Sequence, residues 1–190
     1  RIAAAVRELR AESEDPGAFG TTGAVWVAAT VAILGDEGEP RGAFPVIEDV
    51  SMGSHNTVVT SWAAPLPNNI QAGDLLLLLL ASYNSSSNVT VSTPSGWTQL
   101  FQLNNFTRLE SWAAFYKVAT GSEGSTVTVA ANQAMLNASI CYRISKYLGV
   151  PVAAANGSAA AGVAAPPALT PSFGEANALW IATPGAVNSG

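Results

Sequence analysis

The chain is poor in the residues that do chemistry. It has one cysteine, Cys141, and one histidine, His55, in 190 residues. A single cysteine excludes an internal disulfide framework, and its apolar surroundings mark it as a small core side chain. One histidine with one cysteine excludes a zinc site of the usual composition. Charge is also scarce. Asp, Glu, Lys and Arg make up 11% of the chain, and the eight Lys and Arg are scattered through a net charge of −5. A typical soluble domain carries roughly 25% charged residues. Without a basic patch there is no footprint for nucleic acid. Long apolar runs are missing as well. Leu75 to Ala81 is seven residues and Ala24 to Leu34 is little longer, whereas a spanning helix needs about 20. No membrane span is expected.

Hydrophobic residues nevertheless reach 48%, enough for a core, and their period is mostly two. Val25, Val27, Val31 and Ile33 share one parity and Trp26, Thr30 and Leu34 the other. Further strands are expected around Val46–Met52, Thr57–Ala64, Val89–Thr93, Trp97–Leu103, Thr107–Ala119, Ser125–Ala131, Ala138–Ser145 and Ala178–Ala182. Turn sequences separate them: Pro65-Leu66-Pro67-Asn68-Asn69, Pro94-Ser95-Gly96, Asn104-Asn105 and Thr120-Gly121-Ser122-Glu123-Gly124. The six leucines Leu75–Leu80 favour helix by propensity. Their short length and flanking turn residues make them a strand, and continuous apolarity makes it a central one buried on both faces. At the start, Ile2, Val6 and Leu9 fall at helical spacing, which predicts a short amphipathic helix over residues 1–12, stopped by Asp15-Pro16-Gly17.

The fold class expected is therefore all-β, an antiparallel β-sandwich of jelly-roll or immunoglobulin-like type with a short N-terminal helix. Three segments follow. Residues 1–42 hold the helix and a strand, and Ala24–Gly35 resembles Ala138–Gly149 enough to suggest the end of a preceding similar domain. Residues 43–148 form the sandwich. Residues 149–190 are an Ala/Gly/Pro-rich extended segment with a final strand. The start at Arg1 and the loop-like ending suggest a segment of a longer chain or a processed form.

Catalytic constellations are not legible. His55 sits in a turn-like Gly53-Ser54-His55-Asn56 sequence, a surface loop position. Asp36, Glu37 and Glu39 share one loop and offer oxygen ligands of the kind calcium takes, but their spacing is not that of an EF-hand. Asp74, after Gly73, reads as a turn cap. Glu110 and Glu123 are the one pair that a glycosidase would need, and nothing in the sequence joins them. Gly121–Gly124 lacks the Lys and the helix of a phosphate loop. Five Asn-x-Ser/Thr triplets, at Asn84, Asn88, Asn105, Asn137 and Asn156, occur in a chain rich in Asn, Ser and Thr and read as chance matches. The expectation is no enzyme, no cofactor and no metal. Among the aromatics, Tyr83, Trp97 and Phe106 are the candidates for contact with a glycan or a partner.

One ordered series stands out. It runs Ala72-Gly73-Asp74 before an apolar strand, then Thr93-Pro94-Ser95-Gly96-Trp97-Thr98, then Phe115-Tyr116-Lys117-Val118-Ala119 and Gly121-Ser122-Glu123, then a Val/Thr strand. The series resembles a β-sandwich module of tailed-bacteriophage virion proteins, found in tail fibres, minor tail proteins and head decorations, over roughly residues 57–148. The resemblance implies a virion structural protein in an extracellular particle, partnered by copies of itself and other virion proteins. Host attachment through a surface glycan is the alternative. It carries structural residues only and implies no catalytic ones.

Overall fold

The computed structural model describes residues 5–17, 25–36, 43–84, 89–105, 110–158 and 165–187. The chain is all-β, with two antiparallel sheets and no helix among the described residues. In order, the strands are β1 (Ala5–Ala11), β2 (Val25–Gly35), β3 (Val46–Pro65), β4 (Leu75–Tyr83), β5 (Val91–Ser92), β6 (Thr98–Asn105), β7 (Glu110–Val118), β8 (Thr126–Ser145), β9 (Tyr147–Ser158) and β10 (Ala176–Val187). Two compact units result. One consists chiefly of Ile47–Ile144, the other of Ala3–Val46 with Ser145–Gly190.

The first unit contains a six-stranded sheet in the order β3-β8-β4-β7-β6, with β5 paired to β8 away from that path. β4 lies between β7 and β8, and all six leucines from Leu75 to Leu80 are buried. Side chains alternate across a strand, so a strand buried on both faces can be leucine throughout. The even-numbered leucines join Trp62, Ala64, Val91, Trp97, Phe115, Val129 and Met135 in one apolar cluster. That cluster draws on the second half of β3 and on both halves of β8, and these 20-residue strands double over. Ser51 Oγ donates to the carbonyl of Pro65 at 2.7 Å, 14 residues along the same strand. A straight strand would separate the two by about 46 Å. Likewise β8 pairs with β5 through Ala130 and Ala131 and with β4 through Leu136–Ile144. The sheet thus folds over its own core.

In the second unit the order is β1-β10-β2-β9. Trp180 stands opposite Ala32 in the β10–β2 pair, large against small, and packs with Ala178, Leu169, Leu9, Val152 and Phe173. The Ala/Gly/Pro-rich stretch is held here by specific bonds. Glu14 and Leu169 exchange two backbone hydrogen bonds, and Thr30 Oγ1 donates to Pro167 O at 2.6 Å.

Of the expected N-terminal helix over residues 1–12, residues 1–4 lie outside the described residues, and Ala5–Ala11 is a strand instead. Seven residues cannot stabilise a helix alone. Pairing with β10, from Ala5 opposite Ala182 to Ala11 opposite Ala176, gives the backbone its partners. Leu9 then meets Trp180, whose indole donates to Leu9 O at 3.4 Å.

Candidate functional site

The turns that carry the sequence motifs converge at one end of the first unit. Gly96 takes φ 76°, Trp97 N donates to Pro94 O at 3.1 Å, and the turn so made drops the Trp97 side chain into the core, 8% exposed. Lys117, next to last in β7, stands beside it. The next turn supplies Glu123, whose side chain is 2% exposed. Glu123 accepts from Thr120 N at 2.6 Å, Thr120 Oγ1 at 2.8 Å and Gly121 N at 2.9 Å, and pairs with Lys117 Nζ at 3.1 Å. Burial alone pushes the carboxyl upward. The donors from Thr120 and Lys117 outweigh it and bring the pKa down to about 2. A cleft of about 230 Å³ opens here, lined by Ser95, Trp97, Lys117, Glu123, Thr126 and Thr128 with Leu66 and Val127. It offers an indole edge, hydroxyls and a neutralised ion pair. Glu123, held ionised at neutral pH, cannot serve there as a general acid.

A second clamp stands on the Pro65–Asp74 loop. Asp74 Oδ2 accepts from Gln71 N at 2.8 Å and from Arg143 Nη1 at 3.3 Å, and Arg143 also donates to Asn69 O at 3.0 Å. Asp49 reaches the same loop from β3. It accepts from Asn68 N at 2.7 Å and from Val50 N at 2.9 Å, and these two bonds hold its pKa below the ordinary carboxylate value. Asp74 is the turn cap expected of it. The contributions of Asp49, Lys117 and Arg143 were not legible, since each is a pairing with a residue distant in sequence.

The residues singled out from the sequence do not assemble. Glu110 and Glu123 are not a pair: Glu123 is bound at the Lys117 end of β7, and Glu110 begins that strand. Seven residues of strand separate them by about 23 Å, beyond the ~5–10 Å of paired-carboxylate hydrolysis. His55 lies within β3, its Nδ1 2.9 Å from Thr57 O. Cys141 is fully buried, and burial raises its pKa. Burial likewise pushes the Tyr142 phenol up to about 12. Among the described residues no three His, Cys, Asp or Glu gather as a metal site would require; Glu37 and Glu39 lie outside those residues. Of the contact candidates, Trp97 is a core residue at one end of the sheet. Tyr83 is half-buried at the other end, opposite Glu110 and Leu136. Thr98 is level with Leu77 through Tyr116, six residues or about 20 Å from Tyr83. Phe106 lies outside the described residues. Two of the glycosylation triplets are engaged in the fold: Asn84 donates to Ala134 O at 2.5 Å, and Asn137 is 7% exposed.

Asn137 belongs to a feature the sequence did not announce. Asn137, Ser82, Ser111 and Asn104 stand side by side across β8, β4, β7 and β6, on the core-facing parity of the even leucines. Ser111 Oγ is 2.9 Å from the Asn104 amide. Ser82 Oγ and both amide atoms of Asn137 have no partner in the protein. Polar residues at inward positions were the only available signal.

Comparison with known protein families, characterised proteins and solved structures returns no match to this chain.

Proposed function

We propose that this chain is a non-enzymatic structural protein of a tailed-bacteriophage particle, a fibre, tail or capsid-surface component, built as a β-sandwich of jelly-roll or immunoglobulin-like type and working through protein–protein assembly. The observation that carries this reading is the role of the motif residues. Asp74, Pro94, Trp97, Lys117 and Glu123, from the series that resembles the phage module, have architectural tasks. Asp74 caps its loop, Pro94–Trp97 makes a turn that anchors the core, and Glu123 binds Lys117 and its own turn. Such a body holds its shape without a cofactor. Its low charge reduces the desolvation cost when copies pack together. The test is to raise antibodies against the chain and probe purified particles by immunogold labelling and sedimentation. Labelled particles are expected. A chain that stays in the soluble fraction while particles sediment without it rules the reading out.

A second reading, a module that recognises a host surface glycan, draws on the cleft beside Trp97 with its hydroxyls at Ser95, Thr126 and Thr128. A sugar seated in the cleft changes the surroundings of the Trp97 indole that lines it, so titration with a glycan panel should change Trp fluorescence. Its absence across the panel removes this alternative.

A further inference from the structure

In the second unit every strand pair of the sheet joins the two ends of the chain. β1 and β2 come from the N-terminal segment, β9 and β10 from the C-terminal one, and the order β1-β10-β2-β9 alternates them throughout. Neither segment pairs two strands of its own: β10 lies between β1 and β2, and β2 between β10 and β9. The side-chain and loop bonds follow the same rule. Glu14 bonds to Leu169, Thr30 to Pro167 O and the Trp180 indole to Leu9 O. From Ala28 to Ile33 no residue of β2 is more than 1% exposed, so the two segments are complementary halves of one body. The C-terminal half follows β8 after a single residue, Lys146, which bends the chain at φ 54°. That left-handed backbone is uncommon for residues other than Gly, Asn and Asp. Among the described residues, Asn69 is the one other non-glycine residue to adopt it. The Lys146 side chain is exposed, so no burial offsets the strain of the bend.

We infer that two copies of this chain exchange their C-terminal segments about Lys146, so that β9 and β10 of each copy complete the sheet begun by β1 and β2 of the other. The pairing itself fixes the partner. The slot between β1 and β2 takes one strand in one register, Ala178 to Val187 along β2 and Ala176 to Ala182 along β1. A second copy carries that strand, with the Trp180 that packs against Ala32 and Leu9. The exchanged pair repeats every strand pair of the single chain. The two forms therefore differ in the hinge and in the entropy of joining two chains, which is why exchange is a low-cost route to a dimer. Exchange frees Lys146 to take the extended backbone that lysine prefers, twice per dimer, and a short hinge under strain favours such trading. Rising concentration offsets the cost of joining. All three strand pairs must open before the segments trade, so the forms interconvert through unfolding.

The test is to unfold the full chain in urea, refold it over a range of concentrations and separate the products by size. A dimer fraction that grows with refolding concentration and persists on dilution is expected. R10C/N177C reports which chain supplies β10, because these positions face each other in the β1–β10 pair at a separation that a disulfide spans. After oxidation the dimer should run as two linked chains on a denaturing gel and the monomer as one; buried Cys141 does not compete. K146G accepts the bend without strain and should weaken the dimer at least about tenfold, whereas K146V should strengthen it. K146G alone serves if K146V misfolds. A wild type that refolds as monomer at every concentration overturns the inference and leaves the particle-labelling test untouched. A dimer whose oxidised chains run singly, or one that K146G leaves unchanged, also overturns it.

Discussion

Ser51 and Pro65 belong to one strand and are joined by a hydrogen bond of 2.7 Å. That contact marks where β3 closes back over the core, and Gly53 lies at the tightest point. A Cβ there would stand 2.6 Å from Pro65 Cδ and 3.2 Å from Ser139 Oγ. Gly53→Ala is therefore expected to destabilise the chain by about 1–3 kcal/mol through overpacking, read as a lower urea midpoint at unchanged slope. An unchanged midpoint would mean that the two limbs are not in contact.

Glu123 gives the first unit a pH dependence. Its folded pKa of about 2 lies below the ordinary 4.5, so between these values the unfolded chain binds more protons than the folded one. Its contribution is fully present above about pH 4.5 and is lost as pH falls towards 2. Glu123→Gln should cost on the order of 2 kcal/mol at pH 7, the worth of charged hydrogen bonds, and should flatten the acid limb of a melting-temperature profile. Parallel acid limbs in variant and wild type would refute this role.

The Asp74–Arg143 pair is largely buried, with side chains 9% and 12% exposed. Asp74→Ala leaves Gln71 N without its acceptor and the Arg143 charge without its counter-ion, with only Asn69 O still accepting from it, so a loss of about 3 kcal/mol is expected. Asp74→Asn keeps an oxygen for Gln71 N and should lose less. Chemical denaturation of both variants distinguishes them, and equal losses would point to the charge alone.

Ser82 Oγ is buried with no protein partner. Removing such a group without opening a large cavity is expected to be neutral or to stabilise by about 1 kcal/mol. Ser82→Ala followed by thermal unfolding checks this. A loss above about 1 kcal/mol would reveal a partner for the hydroxyl, such as an ordered water.

Cys141 should resist thiol reagents until the chain unfolds, because it is buried and its thiolate is disfavoured. Labelling kinetics that track global unfolding are expected; rapid labelling of the folded chain would contradict the packing around β8.

Much of the β architecture was readable locally. The period-two pattern around Val127 and Val129, the Pro94–Gly96 and Thr120–Gly124 turns and the unbroken leucines of β4 each express a rule that acts within a few residues. Alternation sets a strand's faces, glycine at positive φ sets a turn, and an all-apolar strand demands cover on both sides. Residues 5–11 went the other way because helical and strand spacing differ little over seven residues, and only the backbone of β10 decides between them. The doubling of β3, the Asp49–Asn68 and Arg143–Asp74 clamps, the separation of Glu110 from Glu123 and the polar row through Ser82 all join residues far apart in the chain. Local side-chain chemistry determined which segments extend and turn. The register of long strands against one another decided what those segments bring together, since shifting a strand by one residue exchanges its two faces.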